Sequence, residues 1–301
     1  MDKYLITGGR GFLGKYISDH MSALGFQVET LGRGSGNSIV CDLSLRYPSL
    51  DTHVDIVVHC AGKAHIFPRT EREKIEYSDV NVNGMKNLLI GLDAAVIRPK
   101  SFIFISSVSV YGKDEGLDIN EHSPLLANDP YGQSKIGAES IIREWCDQNN
   151  VKCTILRLPL VAGQNPPGNL KAMINSIAKG YYFNVSSGRA RKSIVMAQDV
   201  AELIPRAANI GGIFNLTDGY NPSFKELSVL IANQLNKRYP ISLPVWMEKI
   251  LVFLGNYLGF FTPFNAYRYS KLTSSLTFDD RAARETLGWN PRQVLQNFKI
   301  R

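Results

Sequence analysis

Residues 3–14, KYLITGGRGFLG, constrain this 301-residue chain more than any other stretch. An apolar run, Tyr4, Leu5 and Ile6, ends at Thr7, and glycines then recur at Gly8, Gly11 and Gly14. Beyond them Leu13, Ile17, Met21 and Leu24 fall on one face of a helix. A strand, a glycine-rich turn and a helix N-terminus in that order make an anion-binding device. Unpaired N–H groups and the positive end of the helix dipole face the same point. Each glycine serves a physical need, whether a tight turn, close backbone approach to a phosphate, or close helix–sheet packing. Gly8, Gly11, Phe12, Leu13 and Gly14 are therefore expected to hold the pyrophosphate of a dinucleotide.

Apolar β-type runs alternate with helical periodicity through the first half. KYLIT is followed by a helix, then QVETL (Gln27–Leu31), a short SIVCD segment and DIVVHCAG (Asp55–Gly62). A long helix is expected over about Lys74–Ile97, a buried strand at SFIFISS (Ser101–Ser107), a helix over Tyr131–Asn149 and a strand at CTILRL (Cys153–Leu158). Strands separated by helices of this length predict an α/β fold, a Rossmann-type doubly wound parallel sheet. Runs without alternation predict strands covered on both faces. Residues 1–163 are read as the dinucleotide-binding domain, its core also taking 194–217, where GIFNLT resembles one more strand. Residues 164–193 and 218–301 are read as a smaller, interleaved C-terminal substrate lobe. Ligands of such sheets collect at the carboxyl ends of the strands.

Composition narrows the class. Hydrophobic content of 44% with 20% charged residues is ordinary for a globular enzyme. The sequence runs straight into its first strand, so no signal peptide is expected. Four cysteines without CxxC spacing suit a reducing cytoplasm, and five scattered histidines predict no metal site. His59 and His65 fall near the expected cofactor site and read as structural histidines. The net charge of +7 is dispersed, densest at GRARK (Gly188–Lys192), which excludes the long basic stripe of a nucleic-acid binder. A diphosphate-bearing substrate accounts for the excess more economically. The apolar ILVFLGNYLGFF (Ile250–Phe261) is too short to span a bilayer of roughly 30 Å. It reads as a buried helix or a wall of the substrate lobe, and membrane contact is not expected.

Two further elements lie at predicted strand ends. SSVSVYG places Ser106 and Ser107 at the tip of the buried strand, and PYGQSK places Tyr131 and Lys135 on one face of a helix start. A second YxxxK match, Tyr267 to Lys271, lies where no sheet signal occurs. Moving a hydride to or from a carbon that bears oxygen needs a group to exchange the oxygen's proton. A tyrosine, ordinarily ionising near about 10, serves better if a neighbouring ammonium lowers that value. Lys135 is expected to do this and to bond the cofactor ribose, with Ser107 orienting the substrate oxygen.

TGGRGFLG, HCAGKAH, NVNG, ISSVSVYG, PYGQSK, LRLPLVAG and LGWNP stand in order from about residue 3 to 291. In these motifs the chain resembles the extended short-chain dehydrogenases/reductases of the NAD-dependent epimerase/dehydratase family. The resemblance implies a nucleotide-diphosphate-sugar substrate and a homodimer formed through the two long helices. It is closest to bacterial polysaccharide-pathway members acting at C4 of UDP-N-acetylhexosamine derivatives. By position it puts Asp42 and Leu43 beside adenine, Ala61, Gly62 and Lys63 at the cofactor phosphates and ribose, and Pro159 at the nicotinamide. Ser109, Asn169 and Arg191, or Lys192 if the alignment slips by one, would meet the substrate.

Dehydratases of this family place an Asp–Glu pair after the strand-end serine or threonine, where this chain has Val108 and Ser109, so dehydration is not expected. Epimerisation at C4 and reduction of a 4-ketone share the Ser–Tyr–Lys set. An NAD site usually carries an acid at the end of strand 2. Here the sequence reads Leu31, Gly32, Arg33, Gly34, with Glu29 too early. An arginine suits a 2′-phosphate, so NADP(H) is expected over NAD(H), and with it a reductase; a 4-epimerase is the alternative. A non-catalytic dinucleotide-binding sensor would not need to keep Ser107, Tyr131 and Lys135.

Overall fold

The unbroken apolar runs become the strands of one sheet. The computed structural model describes residues 2–64, 68, 70–258 and 266–300. In chain order the strands are β1 (Lys3–Thr7), β2 (Gln27–Gly32), β3 (Ile39–Val40), β4 (Ile56–His59), β5 (Ser101–Ser107), β6 (Gly116–Ile119), β7 (Lys152–Leu158), β8 (Leu160–Ala162), β9 (Ile194–Met196), β10 (Gly212–Asn215) and β11 (Leu276–Phe278). Seven form a sheet in the order β10-β7-β5-β4-β1-β2-β3, with every pairing parallel. All of β5 is buried, as its uninterrupted SFIFISS requires. The strand order reverses between β1 and β4, which opens a crevice at their carboxyl ends.

The described α-helices are α1 (Phe12–Ala23), α2 (Glu71–Tyr77), α3 (Gly84–Ala94), α4 (Pro130–Asn149), α5 (Gly168–Ala178), α6 (Ala197–Ile210), α7 (Phe224–Gln234), α8 (Val245–Leu258), α9 (Ala266–Thr273), α10 (Arg281–Leu287) and α11 (Val294–Asn297). One sheet face buries Ile17 and Met21 of α1 against Val200 and Ile204 of α6. The other buries Leu88 and Leu92 of α3 with Ile142 and Trp145 of α4.

The single helix expected over Lys74–Ile97 is three pieces. α2 starts at a Thr70–Glu73 capping box, a wide π-type turn occupies Ser78–Asn83, and α3 ends at Ala94. The wide turn points Asn81 inward, where its side chain bonds Lys63 and Ser134. Pro99 lies just ahead and lacks the N–H a longer helix would use.

A separate cluster of Ala162, Leu170, Ile174, Ile194, Leu227 and Ile231 forms the core of the smaller lobe. Not all of 218–301 joins it. Ala283, Leu287 and Trp289 pack in the core of the large sheet, and Trp289 Nε1 donates to the Thr217 carbonyl at 3.0 Å. The helix expected to be buried over 250–261 is not buried throughout: Ile250 and Phe253 are exposed. In α8, Glu248 and Gly255 point inward, while Trp246 (64%), Ile250 (51%) and Phe253 (71%) are exposed. An inward Glu248 with Trp246, Ile250 and Phe253 outside reverses the usual amphipathic pattern, so hydrophobic periodicity could not tell inside from outside. Residues 259–261 lie outside the described residues. Among the described residues no helix is long and apolar enough to cross a membrane.

Candidate active site

Thr7 ends β1 and ties it to β4. Its Oγ1 lies 2.7 Å from His59 Nδ1 and accepts the Ala61 N–H at 3.1 Å. Gly8 follows with φ +66°, and a Cβ there would come within 2.9 Å of the Ala61 backbone nitrogen. A Cβ on Gly14 would overlap the Gly8 carbonyl. Both positions require glycine, one for its backbone angle and the other for space. No side chain caps α1 at Gly11. The first amides of α1, from Phe12 and Leu13, thus remain for an anionic ligand, as a dinucleotide pyrophosphate would use them. His59 is buried, stacked 5.7 Å from the Phe104 ring and pushed down to about 3 by burial and then by Lys135, but it is not the fully satisfied histidine expected, since its buried Nε2 has no hydrogen-bond partner. His65 lies outside the described residues.

Within β2, Glu29 is bound to Lys3 at 2.7 Å and Leu31 is buried, while Arg33, just past the strand end, is exposed. Sequence reasoning missed Arg10, whose guanidinium lies across Gly36 in the loop that carries Arg33. Its signal was its place inside the glycine loop. Asp42 is half-buried and binds the Ser44 hydroxyl at 2.6 Å, whereas Leu43 sits in the core. Lys63 donates its N–H to Asn81 Oδ1 at 2.7 Å and pairs its ammonium with Glu76. Gly62 is exposed, and a Cβ there would lie 3.6 Å from Lys135 Nζ, so the structure brings these two expected cofactor residues together. Pro159 is half-buried between β7 and β8.

The proton-transfer group forms where β5 meets α4. Asp129 caps α4 by accepting the N–H groups of Tyr131 (3.1 Å) and Gly132 (3.0 Å), and Pro130 occupies the first turn. That start places Tyr131 near the Ser107 side chain, which opposes the upward push of burial on the phenol. Ser107 Oγ also donates to Ser109 Oγ and accepts the Ser109 N–H, each at 3.1 Å. Its neighbour Ser106 points the other way and binds Glu139 at 2.5 Å.

Lys135 lies one turn along the same helix, 6% exposed. It does not lower Tyr131 as the sequence suggested. Its ammonium donates to the Ile105 carbonyl at 2.9 Å and stands 4.6 Å from the Phe104 ring centre. Burial pulls Lys135 down to about 8, against the opposing pull of Cys60 and Glu139. Burial instead pushes Tyr131 up to about 12, with Ser107 opposing and Tyr77 and Asp129 adding. Tyr131 is therefore a neutral phenol, able to give a proton to an oxygen seated beside Ser107.

The residues expected at the substrate are spread over the lobe. Asn169 lies on the first turn of α5. Arg191 donates to the Asn221 carbonyl at 3.0 Å with its guanidinium 5.5 Å from the Tyr220 ring centre. Lys192 is half-buried and drawn down to about 8 by burial, with Asp114 opposing and Lys271 adding. Lys271, of the second YxxxK match, is committed to an ion pair with Asp114 at 3.0 Å. Among the described residues no group of His, Cys, Asp and Glu has the arrangement of a metal site.

A glycine turn after β1 at the switch point of a parallel sheet, with Ser107, Tyr131 and Lys135 where β5 meets α4, is an arrangement of the short-chain dehydrogenase/reductase type. The chain belongs to the NAD dependent epimerase/dehydratase family, whose pattern matches residues 4–216. A UDP-glucose 4-epimerase of Vibrio cholerae is 28% identical over 315 residues, covering 97% of this chain and 92% of that protein. Among solved structures, a UDP-glucose-4-epimerase of Stenotrophomonas maltophila with bound NAD and formylated UDP-arabinopyranose superposes with a TM-score of 0.77 at 18% identity, covering 99% of this chain and 96% of its own. A human epimerase family protein with NADPH superposes with a TM-score of 0.75 at 18% identity, covering 98% of this chain and 100% of its own.

Proposed function

We propose that the protein is an NADP(H)-dependent reductase acting at C4 of a UDP-4-keto-6-deoxy-N-acetylhexosamine, in the cytoplasmic synthesis of cell-surface polysaccharide. The observation that carries this reading is the end of β2, which has no acid: Glu29 lies within the strand and is held by Lys3, and Arg33 follows the strand end, exposed. A planar guanidinium binds phosphate oxygens in pairs, so Arg33, with Arg10 on the same loop, suits a 2′-phosphate. A bound reduced nicotinamide supplies the hydride. Tyr131 gives its phenolic proton to the C4 oxygen, Ser107 holds that oxygen, and Lys135 reaches the ribose side of the crevice beside Gly62. Asn169, Arg191 and Lys192 supply the polar contacts to the substrate. The same reading includes a homodimer through α2–α3 and α4, supported by Ile75 (59%) and Ile90 (48%) exposed on those helices.

The Vibrio cholerae relative's name favours a second reading, internal 4-epimerisation with retained NAD(H). Purified protein is to be mixed with NADPH or NADH and UDP-4-keto-6-deoxy-N-acetylhexosamine, with products identified by NMR. One NADPH consumed per sugar reduced is the expected result. Interconversion of UDP-GlcNAc with UDP-GalNAc, or of UDP-glucose with UDP-galactose, without net cofactor oxidation would establish the epimerase instead.

A further inference from the structure

In α8 the acid is inside and the aromatic side chains are outside, and hydrogen bonds fix that orientation. Glu248, the one acid of the helix, is fully buried. Its Oε1 accepts the Ser186 N–H at 2.7 Å and its Oε2 accepts the Tyr269 hydroxyl at 2.9 Å. Turning the helix about its axis would break both bonds and leave buried polar groups unpaired. Trp246, Ile250 and Phe253 fall at i, i+4 and i+7, so they share the face away from Glu248, and all three are exposed. Just ahead of the helix Tyr239 and Ile241 are exposed too, on a loop tied down where the Asn184 N–H donates to the Ile241 carbonyl at 2.8 Å.

Charge says what this face suits. Between residues 235 and 258 the cations are Lys237, Arg238 and Lys249, all exposed, and Glu248 is the single acid. With Glu248 inside, the outward charge of the stretch is wholly positive. Lys249 stands one helical turn from both Trp246 and Phe253, which sets a cation beside the apolar row. Such a row matches the boundary of an anionic bilayer, where apolar side chains enter the acyl region and lysines reach the headgroup phosphates. A second copy of the chain fits less well, because a two-fold interface pairs a patch with itself and would set these cations against their own like. The 14 residues of α8 extend about 21 Å, short of a hydrocarbon core of roughly 30 Å, so the helix can lie along a membrane and not cross it.

We infer that α8 docks the protein on the anionic surface of a lipid bilayer, lying in the headgroup plane with Trp246, Ile250 and Phe253 inserted and Lys249 at the phosphates. Absence of membrane contact follows from the sequence only if these side chains are buried, and they are not. The docking does not depend on which reaction the active site performs.

Sedimentation of the full-length protein with sucrose-loaded vesicles, made of phosphatidylcholine alone or mixed in equal parts with phosphatidylglycerol, tests this. The protein should sediment with the anionic vesicles and hardly with the neutral ones, and added salt should release it. Trp246 reports insertion directly, because the other two tryptophans, Trp145 and Trp289, are buried. Its emission should shift to the blue on anionic vesicles and be quenched by brominated lipid. Phe253→Ser should weaken vesicle binding by about 10- to 150-fold, the worth of burying one large apolar side chain. Lys249→Glu should weaken it by about 5- to 30-fold, as a reversed charge at the headgroups would. No sedimentation, equal binding to neutral vesicles, or undiminished binding in Phe253→Ser would overturn the assignment. A dimer in analytical ultracentrifugation that Phe253→Ser dissolves, without vesicle binding, would give the face to a second copy instead. Wild-type sedimentation and Trp246 emission decide even if a variant folds poorly.

Discussion

Glu139 and Arg157 meet in a two-pronged ion pair next to the strand end that carries Ser107: Arg157 Nη2 lies 2.7 Å from Oε2 and Nε 3.1 Å from Oε1. Both side chains are 3% exposed. Ser106 donates to the same carboxylate at 2.5 Å, and Arg157 donates to Tyr111 Oη at 3.0 Å. Tyr111 in turn donates to Asn215 Oδ1 at 2.8 Å. The network joins α4, β5, β7 and β10, and Glu139 stands one turn beyond Lys135. Removing one partner strands a buried charge, which costs about 3–5 kcal/mol. Glu139→Gln and Arg157→Met should each lose stability on that scale in denaturant unfolding, and the double variant should lose far less than their sum. Additive losses would show that the pair is not coupled.

Tyr131→Phe should reduce turnover by about 10²–10⁴-fold, the range for a lost proton donor. Cofactor affinity measured by calorimetry should stay within a few-fold of wild type. Because Tyr131 keeps its proton up to about pH 12 in the free protein, it should add no alkaline limb to the reduction rate at neutral pH. Near-wild-type turnover in the phenylalanine variant would eliminate this mechanism.

Lys135 trades stability for function. In the fold it titrates near 8, against an ordinary 10.5. Between those values the unfolded chain binds more protons, so stability rises with pH across that window, and the full penalty is present below pH 8. Lys135→Met should therefore raise the stability of the cofactor-free protein at pH 7 by about 1–3 kcal/mol, a gain that fades as pH nears 10.5. Turnover and cofactor affinity should both fall. A variant less stable than wild type at pH 7 would show that the Ile105 bond outweighs the burial cost.

Arg33→Ala should weaken NADPH binding by about 10- to 150-fold, the worth of a charge-assisted bidentate contact. NADH binding should hardly change, since it lacks the 2′-phosphate. Arg10→Ala should move in the same direction. Equal losses for both cofactors in isothermal titration, or a wild-type preference for NADH, would remove the support for a reductase.

The sequence alone determined the local devices. Gly8 and Gly14 could be read as obligatory because strand, turn and helix stand in contiguous residues, and the uncapped start of α1 follows from that order. The unbroken SFIFISS run announced a strand covered on both faces, and β5 is buried throughout. The helix expected from Tyr131 to Asn149 is found at Pro130–Asn149, one residue earlier. Tertiary structure decided whatever depends on what lies opposite. Ser106 and Ser107 are adjacent and chemically alike, and only their contacts, Glu139 for one and Ser109 for the other, separate them. Lys135 was expected to bring Tyr131 down, but burial governs both groups and the Ile105 carbonyl holds the ammonium. Nor could periodicity choose the outer face of α8 or bring Arg10 onto the loop of Arg33. Local geometry follows from bonded neighbours, whereas burial and partner choice are set by residues far away in the chain, which a sequence read in order does not bring together.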